Sequence, residues 1–146
     1  MSEETYAALE RDRGRVIAWT RVLVEETDGT LARLDEPATG SYTGVDADGP
    51  SGESSAFRYE IQVRLRASAA EPLDAIAERL ARFRPVVTQR TRTVTVSHGD
   101  LVADFDLAPR GGATVVLIVT GPETPITTDQ MAAWDGWEVG VPVDLS

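Results

Sequence analysis

One ten-residue segment constrains the fold more than any other part of this sequence. From Phe57 to Arg66, apolar and polar side chains alternate without a break. Successive side chains of a β-strand point to opposite faces, so the alternation predicts a strand with one buried and one solvated face. Because a lone strand is not stable in water, the segment requires a sheet and a second layer that covers its apolar face.

Helical periodicity on either side of this strand predicts the covering layer. Apolar residues recur at helical spacing from about residue 3 to 27 and from Pro72 to Phe83. Pro72 suits the first position of a helix, and Pro85 ends that helix. Three further strands are predicted at 86–97, 101–107 and 113–120. Thr127 and Gln130 have the spacing of a capping box, which predicts a short C-terminal helix.

The predicted element order is α-β-α-β-β-β with a short C-terminal helix. This order predicts a two-layer α+β fold, in which a mostly antiparallel four-stranded sheet carries the long N-terminal helix and the second helix on one face. The chain has 146 residues, enough for one domain, so we expect a single α+β domain over 1–146. Glycine, proline and serine dominate residues 37–56, which predicts a flexible loop there.

Absent residue types exclude several kinds of chemistry. The chain has no cysteine, which excludes disulfides, thiol catalysis and thiolate metal sites. All 14 basic residues are arginine, which excludes Schiff-base chemistry and a P-loop lysine. The single histidine, His98, is predicted to lie in a turn, without the nucleophile and carboxylate of a catalytic triad. We therefore expect no cofactor, and the sequence favours a protein that is not an enzyme.

Charge and hydropathy limit the class of partner. The chain has 24 acidic residues against 14 basic ones, a net charge of −10, which argues against binding to nucleic acid or an anionic membrane. No apolar run approaches the ~20 residues of a membrane span. Without a targeting signal in the chain, a cytoplasmic location is expected. Removal of a signal peptide would place the protein in the cell envelope instead.

Parity along the predicted strands defines a candidate interaction surface. If the helices cover one face of the sheet, an apolar patch is left on the other face. We expect the C-terminal segment to fold back over this patch, with a second subunit or another protein as the alternative cover. The residues of the predicted surface are Val102, Val116, Ile118, Trp134 and Trp137.

A pair of aspartates and a set of arginines are candidates for other kinds of site. Asp104 and Asp106 lie two apart on one predicted strand, so they share a face where they could bind Ca²⁺ or Mg²⁺, act as an acid–base pair, or simply be solvated. A set of arginines could form an anion site, could pair with Glu60 across the sheet, or could simply lie on a solvated face. These arginines are Arg58, Arg64, Arg66, Arg90 and Arg92.

Three functions follow from these patterns. The first is a non-catalytic binding or protein-interaction module, whose partner is a protein or a second copy of the chain and whose small-molecule ligand, if any, is unknown. The second is a carboxylate- or metal-dependent hydrolase that uses Asp104 and Asp106. The third is an acidic protein of the immunity or inhibitor type, which would bind a basic partner through its charge of −10.

The order of segments also resembles a group of bacterial proteins. A helical start, a Gly/Ser-rich loop, a helix and three strands ending near Thr120-Gly121-Pro122 resemble small envelope lipoproteins of high-GC actinobacteria. Arginine-rich, lysine-free composition fits the same coding bias. The resemblance implies an envelope location, but the lipobox cysteine of such proteins is missing here.

Overall fold

A long central strand organises the structure. The computed structural model describes residues 2–46, 54–108 and 113–145. Its helices are α1 (Ser2–Glu26), α2 (Pro72–Arg79) and α3 (Thr128–Ala133), with a 3₁₀ turn at Ala81–Phe83. Its strands are β1 (Leu31–Arg33), β2 (Ala38–Asp46), β3 (Ser54–Ala67), β4 (Val86–Thr88), β5 (Thr93–His98), β6 (Leu101–Leu107), β7 (Thr114–Thr120), β8 (Thr124–Thr127) and β9 (Val141–Val143).

All nine of these strands belong to one sheet, so the predicted four-stranded sheet is wrong. The strand order is β4-β5-β6-β7-β3-β2-β9, and every pairing between named strands is antiparallel. The 14-residue β3 has two strands in series on each side: β7 and β8 on one, β2 and β1 on the other. The molecule described is therefore mostly sheet, with one long helix and two short ones.

The largest departure from the predicted order lies in the segment expected to be a loop. Residues 38–46 form β2, and residues 54–56 belong to β3; only 47–53 of that segment lie outside the described residues. The inward positions of β2 include Gly40 and Gly44, which carry no apolar side chain, so β2 lacks the alternation that marks β3. The predicted strand 86–97 is also two strands, separated by a turn in which Arg92 adopts a positive φ of 57°.

The sequence predicts correctly which face of the sheet each side chain points to. It does not predict correctly which residues pair across neighbouring strands. Residue order along the hairpins predicts Val96 opposite Leu101 and Phe105 opposite Val115. In the structure Val96 lies opposite Ala103, and Phe105 opposite Leu117. Each register is displaced by two residues, and a displacement of two leaves every side chain on its original face. The predicted inward residues of β5, β6 and β7 are accordingly all buried.

The helices lie on one side of the sheet, which we call the inner face. Helix α1 packs against β3, β7 and β8, while α2 packs against β4 and β5. One apolar stripe of α1 is buried there through Leu9, Val16 and Leu23, and Ile76 of α2 is fully buried as well. This apolar burial, worth about 1.5–3 kcal/mol for each large side chain, stabilises the two layers.

The C-terminal tryptophans also pack on the inner face. Trp134 stacks on Tyr6 of α1 at 5.3 Å between ring centroids, and Trp137 contacts Phe57 of β3 at 4.7 Å. Both tryptophans contact the ring of Tyr42, which points inward from β2. The expected cover over the opposite face is therefore wrong: the C-terminal segment docks beside the N-terminal half of α1.

A buried tyrosine links this segment to the sheet. The hydroxyl of Tyr59 donates to Glu138 Oε2 at 3.3 Å, and Arg13 Nε donates to the same oxygen at 3.0 Å. The backbone carbonyl of Glu138 accepts from the amide of Tyr42 at 2.8 Å. Burial, together with the nearby carboxylate of Glu138, raises the pKa of Tyr59 to about 12. Burial likewise raises the pKa of Tyr42.

We predict that ionisation of Tyr42 and Tyr59 lowers the stability of the folded protein at alkaline pH. Their phenols have raised pKa values in the folded state, so the stability from keeping them neutral is complete below the unfolded pKa of about 10 and is lost as the pH rises through about 12. Tyrosinate absorbance from these two residues should appear together with loss of the sheet signal in circular dichroism. Ionisation of both while the sheet signal persists would contradict the prediction, and Tyr59→Phe should remove one of the two ionisations.

The structure also bears on the membrane prediction. Among the described residues, no helix combines the length and hydropathy needed to cross a membrane.

Candidate functional site: the open face of the sheet

The face opposite the helices is the candidate functional site, and we call it the open face. It consists of the outward-pointing residues of β5, β6, β7, β3 and β2. On the four strands from β5 to β3, every outward side chain described keeps part of its surface exposed, whereas the inward ones are buried except at the strand ends, His98 and Phe57. The open face is thus a sheet surface uncovered by the described parts of the chain.

Side chains on the open face are sorted by strand. Strand β6 presents the carboxylates of Asp104 and Asp106, and β3 presents the guanidinium groups of Arg64 and Arg66. Between them, β7 presents two partly exposed apolar residues, which are Val116 and Ile118. The two flanking strands carry only hydroxyl side chains at their outward positions next to this centre. These are Thr93, Thr95 and Ser97 on β5 and Thr39, Ser41 and Thr43 on β2.

Strand pairing aligns these columns into rows. Arg64 lies opposite Val116, which lies opposite Asp106. In the next row, Gln62 lies opposite Ile118, which lies opposite Asp104. Neighbouring strands are about 4.8 Å apart, so the acidic and basic columns are separated by roughly 10 Å.

Each carboxylate of the acidic column accepts a hydroxyl hydrogen bond. Thr95 Oγ1 donates to Asp104 Oδ1 at 2.6 Å, and Thr93 Oγ1 donates to Asp106 Oδ1 at 2.9 Å. These bonds orient the two carboxylates on the surface. Across the described residues, no group of three or more His, Asp or Glu side chains is placed to hold a metal ion.

The predicted interaction surface is divided by the fold. Val102, Val116 and Ile118 lie together on the open face, where each is partly exposed. Trp134 and Trp137 lie on the inner face, in contact with Tyr42. The two halves of the predicted surface are therefore on opposite sides of the sheet.

The arginines are not gathered into one anion site. Arg58 and Arg64 lie on β3 beside separate acids, Glu123 at 3.9 Å and Glu36 at 3.5 Å. Arg90 and Arg92 precede β5, and two strands, β6 and β7, separate β5 from β3. Sequence order alone does not show that β3 pairs with β7, and without this pairing the basic and acidic columns cannot be related.

The charge of the open face differs from that of the whole chain. Its outward positions carry three basic and three acidic residues, whereas the chain carries 14 and 24. The three acids are Glu60, Asp104 and Asp106, and the three bases are Arg58, Arg64 and Arg66. Two further acids, Glu36 and Glu123, reach this face from neighbouring segments and lie against Arg64 and Arg58.

Two grooves lie on the helix side. A groove of about 310 Å³ between α1 and the β5–β6 turn contains Trp19, whose ring stacks on His98 at 5.8 Å between centroids. A larger one of about 680 Å³, between α1 and α2, is lined mainly by charged residues, among which Arg82 pairs with Glu26. The side chains in both grooves thus largely contact one another.

Comparison of the chain with protein-family models, with curated proteins and with solved structures finds no match. The functional reading therefore rests on the geometry of the open face.

Proposed function

We propose that this protein is a non-catalytic protein-interaction module whose binding surface is the open face of its sheet. The observation that carries the proposal is the apolar column of Val116 and Ile118, with Val102 beside it, on an uncovered sheet face. Contiguous apolar surface with a polar rim is typical of protein–protein interfaces.

The flanking chemistry supports binding of a protein in preference to a small molecule. The open face is the surface of a sheet, whereas small-molecule sites are concave clefts that enclose most of the ligand. Its charged and hydroxyl groups surround the apolar column, as the polar rim of an interface surrounds its core. An arginine-rich rim also suits recognition, since arginine is enriched at interfaces.

Two other functions make different use of the molecule. A hydrolase would act through Asp104 and Asp106, each of which already accepts a threonine hydroxyl bond. An acidic protein of the immunity type would bind its basic partner through acidic residues outside the centre of the open face. The cytoplasmic location and the envelope alternative remain predictions, which cell fractionation tests.

Site-specific photo-crosslinking tests the proposal. A benzophenone amino acid replaces Ile118 on the open face in one variant and Glu78, exposed on α2, in a matched control. We expect a discrete protein adduct from position 118 and none from position 78, in cells that produce the protein. In the position-118 variant, Val116→Arg should reduce the adduct at least about tenfold while changing stability by about 0.5 kcal/mol or less, because Val116 is partly exposed.

Each pattern of adducts has a different meaning. An adduct from position 78 alone would overturn the proposal and favour the acidic binding surface. No adduct from position 118, with the fold intact, would also overturn it. Specific Mg²⁺ or Ca²⁺ binding that Asp104→Asn abolishes would favour the hydrolase.

A further inference from the structure

We propose that the partner of the open face is a second copy of this chain, packed face to face about a two-fold axis that runs parallel to the strands above β7. The inference rests on the proposed function, since it names the partner of the same surface. It follows from the order of side-chain types across five strands.

The two central rows of the open face carry complementary polar groups on either side of β7, and hydroxyl side chains lie on the outer strands β5 and β2. One row carries Asp106, Val116 and Arg64, and the next carries Asp104, Ile118 and Gln62; the third row, of Val102, Thr120 and Glu60, has no opposite charges. A two-fold axis parallel to the strands exchanges the strands on the left of β7 with those on the right. It therefore places the acidic column of each copy over the basic column of the other.

The alignment of the rows determines which residues of the two copies lie over each other. Rotation about an axis parallel to the strands places Arg64 over the partner's Asp106, and Gln62 over the partner's Asp104. Val116 and Ile118 of β7 lie beneath the axis, so each meets its own copy. Packed sheets are separated by about 10 Å, a gap that an arginine and an aspartate side chain together span.

The alternative two-fold arrangement opposes like charges. An axis across the strands would place β6 over β6 and β3 over β3. With the axis between the two central rows, Asp104 of each copy would face Asp106 of the other, and Arg64 would face Gln62 in place of a carboxylate. Like charges brought together at an interface cost several kcal/mol. Charge therefore selects the axis parallel to the strands.

Net charge also favours this face for self-association. Two copies that carry −10 each repel one another over most of their surfaces. The outward positions of the open face carry three acids and three bases, and Glu36 and Glu123 pair with two of these bases, so only a small part of the net charge lies where these faces meet. Five strands about 4.8 Å apart and β3 from Arg58 to Arg66 define a patch of roughly 19 by 27 Å, about 500 Å² on each copy, which lies at the low end of the size range of protein interfaces.

The absence of cysteine provides a direct test of the axis. We introduce Val116→Cys, on the axis, or Thr95→Cys, which lies two strands away on β5, and treat the pure full-length protein with a short bis-maleimide. We expect covalent dimers from position 116 and none from position 95, since the two copies of position 95 would lie about 19 Å apart across the interface. A mixture of Thr95→Cys and Thr39→Cys chains should cross-link, because the axis places these positions over each other.

Charge exchange tests the pairing of columns. We expect Asp106→Arg and Arg64→Asp each to raise the dimer dissociation constant at least about tenfold, since each opposes like charges. A mixture of the two variants should restore the dimer, because both contacts again join opposite charges. The double variant in one chain should also dimerise, and sedimentation equilibrium measures all four cases.

The outcomes separate this inference from the proposed function. A wild-type chain that stays monomeric, or a cross-link at position 95 and none at 116, overturns the second-copy inference. If the pure chain is monomeric while Ile118 still cross-links a different protein in cells, the interaction function stands and only its partner is wrong. If Val116→Arg leaves dimerisation unchanged, the dimer uses another face, and the inference fails.

Discussion

Trp19→Ala should destabilise the protein by about 3–5 kcal/mol, as truncation of other buried aromatic residues does. Trp19 is 5% exposed and holds the middle of α1 against two other elements. Its ring meets Phe83 edge-on at 6.5 Å and stacks on His98 at 5.8 Å. Truncation therefore leaves a cavity where the helix, the 3₁₀ turn and the β5–β6 hairpin meet, and urea denaturation followed by circular dichroism measures the loss.

Two further variants separate the contribution of ring packing to stability from that of the unsatisfied indole N–H. Trp19 Nε1 is buried and has no hydrogen-bond partner, so Trp19→Phe removes an unsatisfied donor along with part of the ring. We expect Trp19→Phe to cost less than about 1.5 kcal/mol. Val22→Ala, at a 36% exposed position on the same helix, should change stability little. Equal losses for all three variants would contradict a specific packing role for Trp19.

The sequence predicts the strands that carry their own apolar face. Residues 57–66 alternate strictly, residues 101–107 alternate except at Val102, and the structure has strands there because the inward apolar side chains are largely buried in the core. Helix α1 is predicted to within about a residue at each end for the same reason. The place of Trp19 near the apolar stripe of the first helix predicts a core position, and its burial confirms this.

The sequence does not predict strands whose inward positions are filled by side chains of a neighbouring strand. Gly40 of β2 faces inward, yet the surface buried at that position belongs to the ring of Tyr59 on the adjacent strand. Strands β1, β8 and β9 have three or four residues each, too few to display a period. These strands exist because β3 and β2 offer them unpaired backbone groups, and that is a tertiary property.

The open face shows the same limit. Parity predicts that Val102, Val116 and Ile118 share a face, and the structure places them together. Whether the C-terminal tryptophans cover that face depends on the aromatic site formed by Tyr6, Tyr42 and Phe57, which only the complete fold assembles. The two-column charge pattern likewise requires the pairing of β3 with β7, whose residues are some fifty positions apart in the chain.

Gly40→Ala should destabilise the protein by about 3 kcal/mol or more, at or above the top of the usual range for overpacking. A Cβ at this position would lie 1.8 Å from the Tyr59 hydroxyl oxygen and 2.6 Å from its Cζ, with Val143 Cγ2 at 3.0 Å. The ring of Tyr59 is 1% exposed and packs edge-on against Tyr42 at 5.0 Å, so it has little room to withdraw. Thermal and urea denaturation measure the loss.

Gly14 supplies the matched control for this substitution. A Cβ at Gly14, in the interior of α1, would meet no atom within 4 Å, so Gly14→Ala should stabilise the protein by about 1 kcal/mol through helix propensity alone. Tyr59→Phe tests the cause of the opposite effect at Gly40. In the wild type it removes the hydrogen bond to Glu138 and should cost stability, whereas beside Gly40→Ala it removes the oxygen that the new methyl group meets. The two substitutions should therefore be strongly non-additive, the pair costing less than the sum of the single changes. Simple additivity would mean that the strand, and not the tyrosine ring, moves to accept the methyl group.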